Sequence, residues 1–389
     1  MTQFNITIDL EELLEDISMS NLNEVSKQML AIILNNVMEE ERNQFMGVDE
    51  YKRSNLRNDY RNGYYNREYM TSIGKIELKV PRTRSGEFST RIFEKWQRQD
   101  QSLLLALTEM VVNGVSTRKV TNIVEQIVGE SVSKSFISNT MKRLDPEIEA
   151  FSKRSLTQKE YPFVSVDAMY IKVRENHQVV SKAVYIALGT TSEGFREVLG
   201  FQVANEESEM DWREFLRMLK TRGLTQPELI TSDSHIGLKK AIRKEFPGTP
   251  WQRCTVHFLR NIIQTMPKKN TSEERFLLRQ IFHTSTPQHA REAKDRFIQY
   301  VADNPRYNKS IEILEEGFED SIQYSIFPAS RQRYIKSTNT LERLNEEVRR
   351  RERVVRIFPN IDSAFRLIGA VLLDHHEAYQ KSTRHLSGF

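Results

Sequence analysis

The amino-acid sequence predicts an α/β fold: a sheet-forming core, preceded by mostly helical regions and interrupted by a helical insertion. Three observations carry this. Residues 161–204 hold three strand-like runs in succession, YPFVSVDAMYIKV, SKAVYIALGTT and REVLGFQVAN, rich in β-branched and aromatic residues. Residues 227–264 then alternate short apolar runs with amphipathic segments, in PELITSDSHIGLKKAI and TPWQRCTVHFLRNII, the strand-then-helix order of an α/β sheet. Residues 265–335 break that order with a polar, charged helical stretch, after which KSTNTLERLNEEVRRRERVVRIFPN resumes it.

At 389 residues the chain has room for two or three domains, each with its own core. A formal net charge of +4 is only mildly basic, so the placement of charge matters more than its total. The single cysteine, Cys254, excludes an internal disulfide framework and fits a reducing compartment. No apolar run approaches the roughly eighteen residues of a membrane span. The acidic start MTQFNITIDLEELL lacks the basic-then-apolar order of a secretory signal. A cytoplasmic protein with no membrane partner is expected.

Residues 1–98 read as a helical and basic-hairpin region. Residues 8–46 are expected to be helical, with Leu30, Ile33, Leu34 and Val37 on one stripe and charge gathered in Met38-Glu39-Glu40-Glu41-Arg42. That stripe either packs within its own domain or forms a dimer seam. From Tyr51 to Arg98, Tyr51, Tyr60, Tyr64, Tyr65 and Tyr69 interleave with basic residues that include Lys52, Arg53, Arg57, Arg61, Arg67, Arg82 and Arg84. Asn62-Gly63 is a tight-turn signal, and REYMTSI with KIELKVPR reads as a strand pair. Basic side chains neutralise phosphates and tyrosines offer flat faces, although ordinary protein surfaces share this mixture. Residues 99–150 return to helix. Ser116 and Ser133 are placed as N-caps of two short amphipathic segments around Gly129, a helix-turn-helix layout. Ser133, Lys134, Ser135, Ser138 and Asn139 would then face DNA; a plain helical packing hairpin is the equal alternative.

The chemistry concentrates in residues 158–264 and 336–389. Asp167 sits mid-strand, where a lone carboxylate is expensive to bury without a compensating cation. Asp233 follows a short strand, and functional groups of α/β sheets gather at carboxyl ends of strands; it could also cap the following helix, and both roles are compatible. Glu342 falls in the first turn of a helix capped by Thr338 or Asn339, with Leu341, Leu344 and Val348 as its buried stripe. Glu346 lies on the same face one turn on, and Glu346 and Glu347 are rival third acids. Arg349, Arg350, Arg351, Arg353 and Arg356 then form an arginine run dense enough to seek phosphate, unless i,i+4 ion pairs absorb it. Three such acids suit a pair of Mg2+ ions roughly 4 Å apart at a phosphodiester. Cys254 and His257 have a CxxH spacing that invites zinc, but a structural site needs four ligands and no second pair is present. They are expected to be buried and to brace the sheet near the acids. Trp251 reads as a core residue, with base stacking the alternative.

The motifs RNGYY, KIELKVPRTRSGEF, GVSTRKV, VSVDAMYIKV, ITSDSHIGLKKAI, WQRCTVHFLRNI and TNTLERLNEEVRRRERVVRIFPN resemble, along most of the chain, the Mutator-type bacterial transposases of the insertion-sequence 256 family. The resemblance implies a ribonuclease H-like catalytic core with a DDE triad, its helical insertion ahead of the last catalytic helix. Matched residue by residue, the triad falls on Asp167, Asp233 and Glu342, and the CxxH signature on Cys254 and His257. Asn339, Arg343 and Asn345 surround the glutamate, and Arg349 takes a basic position that meets DNA. Lys336-Ser337-Thr338 stands where the family often has Arg and paired Thr.

The chain is thus expected to be a DNA transposase acting as a homodimer or higher homo-oligomer on double-stranded DNA. It would bind terminal inverted repeats, cleave one strand at an element end and join the 3′-hydroxyl to another phosphodiester. Two Mg2+ ions, or Mn2+ in their place, are expected, and the resemblance implies a copy-out, paste-in route through a circular intermediate. Arg61, Tyr64, Arg67, Arg82, Arg84, Lys134, Arg343, Arg349, Arg350 and Arg351 are the candidate DNA contacts. Two rivals remain: a ribonuclease H-like nuclease without strand transfer, and a catalytically inactive DNA-binding regulator.

Overall fold

The computed structural model describes residues 22–47, 58–71, 73–92, 101–128 and 132–381. Residues 8–21 of the expected first helix, Tyr51, Lys52, Arg53, Arg57 and Gly129 lie outside them. The chain divides into two compact units, Met1–Lys142 and Arg143–Phe389.

In the first unit, helix α1 (Leu22–Met46) lies on a hairpin of β1 (Arg61–Thr71) and β2 (Gly74–Thr83). Leu30 and Leu34 pack with Met38 against Ile76, Leu78 and Val80. The fully buried line runs instead through Val25, Met38, Arg42 and Met46, with Ile33 and Val37 only half-buried. The charged end of α1 is not a solvated tip. Arg42 is 1% exposed, pairs with Glu39, and donates to the Tyr64 hydroxyl at 3.1 Å. Glu41 accepts from the Arg91 amide. Asn62-Gly63 is no hairpin turn: it sits at a register shift inside β1, a bulge with Gly63 at φ +69°, and the chain reverses between Thr71 and Gly74. A helical trio follows, α2 (Gln101–Val112), α3 (Thr117–Val128) and α4 (Lys134–Met141), built on Leu103, Leu107, Val120, Val124 and Ile137. Ser133 caps α4 by accepting from the Phe136 amide at 3.0 Å, and the Ser116 hydroxyl accepts from Lys119 N. Ser133, Lys134, Ser135, Ser138 and Asn139 are all exposed.

The second unit opens with α5 (Asp145–Lys153), which the sequence reading grouped with the helix-turn-helix region. Its five-stranded sheet runs β5-β4-β3-β6-β7: β3 (Phe163–Glu175), β4 (Gln178–Thr190) and β5 (Arg196–Ala204) form an antiparallel meander, and β6 (Leu229–Ser232) and β7 (Trp251–Arg253) add in parallel. Helices α6 (Glu209–Thr221) and α7 (Ile236–Glu245) cover one face. Trp212, Phe215, Leu216, Leu238 and Ile242 close there on Val164, Val166, Tyr185 and Ile230. Each such burial contributes on the order of 2 kcal/mol. Strand alternation turns Asp167 to the opposite face, where α13 (Asn339–Val355) and α14 (Ile361–Lys381) lie.

After β7 the chain enters α8 (Thr255–Thr265) and then the insertion, α9 (Ser272–Ile281), α10 (Pro287–Val301), α11 (Asn308–Ser321) and α12 (Ala329–Ile335). This insertion has its own core around Phe258, Phe282, Phe297, Leu314 and Phe318. Gln252 of β7 ties it to the sheet edge, donating to Ser321 O at 2.8 Å and accepting from Tyr324 N at 2.8 Å. Trp251 is a core residue, its indole N–H donating to the Ser232 hydroxyl at 2.8 Å. Among the described residues no helix is long and apolar enough to cross a membrane.

Helix α14 presses on β5 and α5 through Phe365 stacked on Phe201 and through Gly369. A Cβ at Gly369 would lie 2.3 Å from Ile148 Cγ2 and 2.8 Å from Phe201 Cζ. Gly369→Ala is therefore expected to destabilise the fold by about 1–3 kcal/mol through overpacking, read as a lower Tm in thermal unfolding.

Candidate active site

Three elements deliver one carboxylate each to a single cleft of about 560 Å³. Asp167 comes from the middle of β3, Asp233 follows the last residue of β6, and Glu342 occupies the first turn of α13. Asp233 owes nothing to helix capping, because the cap of α7 is His235, whose Nδ1 accepts from Leu238 N at 3.3 Å. Among the described residues no lysine or arginine forms an ion pair with any of the three acids.

Asp167 is held from two sides. The Ala168 amide donates to Oδ1 at 2.9 Å and Asn345 Nδ2 donates to Oδ2 at 2.7 Å. Burial, and then the charge of Asp233, push this carboxyl up to about 7, with Glu342 adding to the shift. Backbone and His257 pull the other way without cancelling it. Burial and two acidic neighbours thus hold Asp167 toward its acid form.

The local cation is His257, in the first turn of α8. Its Nδ1 touches Asp233 Oδ1 and its Nε2 lies 3.6 Å from Glu342 Oε1. Its bond to Asp233, and next to Cys254, raise the imidazole to about 10 against the effect of burial. Cys254 is buried, as expected, but His257 is only partly so and reaches the acids themselves rather than merely bracing the sheet. Burial would push the Cys254 thiol up, yet hydrogen bonds from His257 and Thr338 outweigh it and bring it below the ordinary range. Thr338 donates its amide to Cys254 Sγ at 3.4 Å, and its hydroxyl, 3.3 Å from that sulfur, donates to Glu342 Oε1 at 3.1 Å. A threonine just ahead of a helix reads from sequence as a cap, so this bridge had no separate signal.

The donor chemistry fits a hard divalent cation. The three carboxylates offer the oxygen ligands magnesium prefers, and an ion there would relieve the repulsion at Asp167.

The arginine run divides. Arg343 and Arg349 line the cleft and are exposed. Arg350 is exposed and pairs with Glu347 at 3.2 Å, while Arg353 pairs with Glu346 at 2.7 Å. Arg351, one of the candidate DNA contacts, is 5% exposed and pairs with Glu347, because the helix turns it inward. Glu346 borders the cleft but is engaged by Arg353, and Glu347 by two arginines. Asn339 begins α13 at the cleft wall. The remaining candidates belong to the first unit. Arg82 and Arg84 are exposed over Tyr65 and Tyr60, Tyr64 is half exposed, and Arg67 is half-buried. Arg61 donates to Asn43 at 2.6 Å, and Lys134 is exposed at the start of α4.

Residues 1–382 match the sequence model of the family described as "Transposase, Mutator family". The chain belongs to the Mutator family of transposases. It is similar along its whole length to the transposase for insertion sequence element IS256 in transposon Tn4001 of Staphylococcus aureus, 48% identical over 389 residues and covering 100% of both chains. The transposase for ISRM5 of Rhizobium meliloti is 40% identical over 374 residues, 96% of this chain and 93% of the relative. A likeness to the Mos1 strand transfer complex covers 60% of this chain and 80% of that one at 11% identity, with a TM-score of 0.19, below what a shared fold gives.

Because the folded transposase favours the acid form of Asp167, the ion-free protein should lose stability as pH rises from the ordinary value of 3.8 through about 7. Asp167→Asn should flatten that trend and raise stability at pH 8 by about 0.5–2 kcal/mol, read by thermal melts with chelator across pH. An unchanged pH trend would sink the reading of Asp167 as the strained acid.

Proposed function

We propose that this transposase binds the terminal inverted repeats of its element, nicks one DNA strand at an element end and joins the freed 3′-hydroxyl to another phosphodiester. The observation that carries the reading is the convergence of Asp167, Asp233 and Glu342, from three separate elements, on one cleft where no lysine or arginine among the described residues pairs with them. The meander extended by two parallel strands supports a ribonuclease H-like core.

Asp167, Asp233 and Glu342 would hold two divalent ions, Mg2+ or Mn2+, which supply activation of the attacking oxygen and stabilisation of the leaving one. The chain's own residues prepare that site. Asn345 holds Asp167 in orientation, and Thr338 holds Glu342. His257 keeps a proton against Asp233 and limits repulsion among the acids. Arg343 and Arg349, exposed on the cleft wall, neutralise backbone phosphates flanking the scissile one, giving sequence-independent affinity. Sequence readout falls to residues 1–150, through Arg82, Arg84 and Tyr64 on the hairpin and Lys134 on α4. Element ends come in pairs, so the active form is a homodimer or larger. The route is copy-out, paste-in with a circular intermediate. A nuclease that stops after hydrolysis would use the same triad, and its products would lack joined strands.

Labelled element ends incubated with the protein and Mg2+ should yield nicked, joined and circular species on a denaturing gel. Asp233→Asn should bind the same ends with unchanged affinity and lose cleavage by about 10³-fold or more, measured as initial rate. Cleavage at the wild-type rate by that variant would remove the triad from the mechanism. Arg349→Ala should weaken end binding across all sequences and reduce the slope of log affinity against log salt by about one.

A further inference from the structure

We propose that Asp233, Cys254 and His257 form a binding site for a thiophilic divalent cation of the zinc class, sharing Asp233 with the carboxylate site. Among the described residues, one ligand atom from each lies within 4.8 Å of the other two. The donors are a carboxylate oxygen, a sulfur and an imidazole nitrogen, a set that suits zinc or cobalt and not magnesium. Cys254 stands at the N-terminus of α8, and the Thr338 amide donates to its sulfur, an arrangement that suits a thiolate. Three protein donors with an open fourth position make a reactive-type zinc site, so the want of a second Cys–His pair in the sequence does not count against it. Asp233 and His257 line the cleft and give the ion its approach, while Cys254 closes the buried side.

Occupancy would displace to solvent the proton that His257 holds against Asp233, and would withdraw Asp233 from the magnesium pair. Zinc should therefore inhibit Mg2+-dependent cleavage by competition for one ligand. The inhibitory effect rests on the proposed function; the binding does not.

The test is cobalt titration of the untagged, magnesium-free full chain. One equivalent should bind with a thiolate-to-cobalt charge-transfer band and tetrahedral visible absorption, and zinc should displace it. Cys254→Ser should lose the charge-transfer band, and His257→Gln should weaken binding by about tenfold or more. A cadmium–thiolate band in the unmodified protein is a second measurement that needs no variant to fold. No thiolate band with either metal, or the same cobalt spectrum in Cys254→Ser, overturns the site. In cleavage assays, each protein is compared with its own magnesium-only rate, and zinc should inhibit the unmodified chain but not Cys254→Ser. A thiolate-bound ion that leaves cleavage untouched would uphold the site and count instead against Asp233 as a catalytic ligand.

Discussion

The second unit is arranged around one electrostatic imbalance: three carboxylates in a cleft where no lysine or arginine among the described residues pairs with them. Burying a carboxylate in a strand is costly, and doing so beside two others is costlier still, which is why burial and Asp233 together hold Asp167 near neutrality. The protein manages this crowding of acids with hydrogen bonds and one histidine rather than with lysine or arginine. Asn345 donates to Asp167, Thr338 to Glu342, and a protonated His257 stands between Asp233 and Glu342. A lysine would solve the electrostatics better and leave the acids unable to hold an ion.

Much of this is legible in the chain because it depends on local pattern. The meander followed from β-branched runs separated by turn residues, and Asp233 at a strand end from the strand-then-helix order. The buried stripe of α13, Leu341, Leu344 and Val348, followed from helical spacing. What stayed hidden depends on partners far along the chain. Asn62-Gly63 has the chemistry of a turn, but the strands pair on past it and absorb the glycine's positive φ as a bulge. The charged end of α1 looks solvated until the hairpin supplies Tyr64 to Arg42. His257 looks like a bracing residue from its CxxH spacing, since nothing local announces that β6 will present Asp233 to its ring.

The arginine run shows the same limit within a single helix. Composition makes Arg349, Arg350, Arg351 and Arg353 equivalent, whereas a helix advances about 100° per residue and separates them. Arg349, two turns beyond Glu342, returns to the cleft. Arg351 is turned inward and held by Glu347, and Arg353 is held by Glu346. A basic stretch is thus a few cations left facing the cleft among others that pair with acids of the same helix. The same pairs hold Glu346 and Glu347 away from competing with Glu342.

The helical insertion explains how an acid so far along the chain joins two on the sheet. Both ends of the excursion are fastened to the same edge. Thr231 of β6 donates to Ile335 O at 2.7 Å, Thr255 N donates to Lys336 O at 3.0 Å, and Thr338 donates to Cys254. These bonds close a loop of 84 positions between Cys254 and Thr338 and deliver α13 with its first turn against the cleft. Chain entropy opposes closing a segment this long only weakly beyond a short one, roughly as the logarithm of its length. The folded insertion offsets that cost with its own apolar core. Glu342 therefore takes its position from the seam that Thr338 and Cys254 make at the two ends of the insertion.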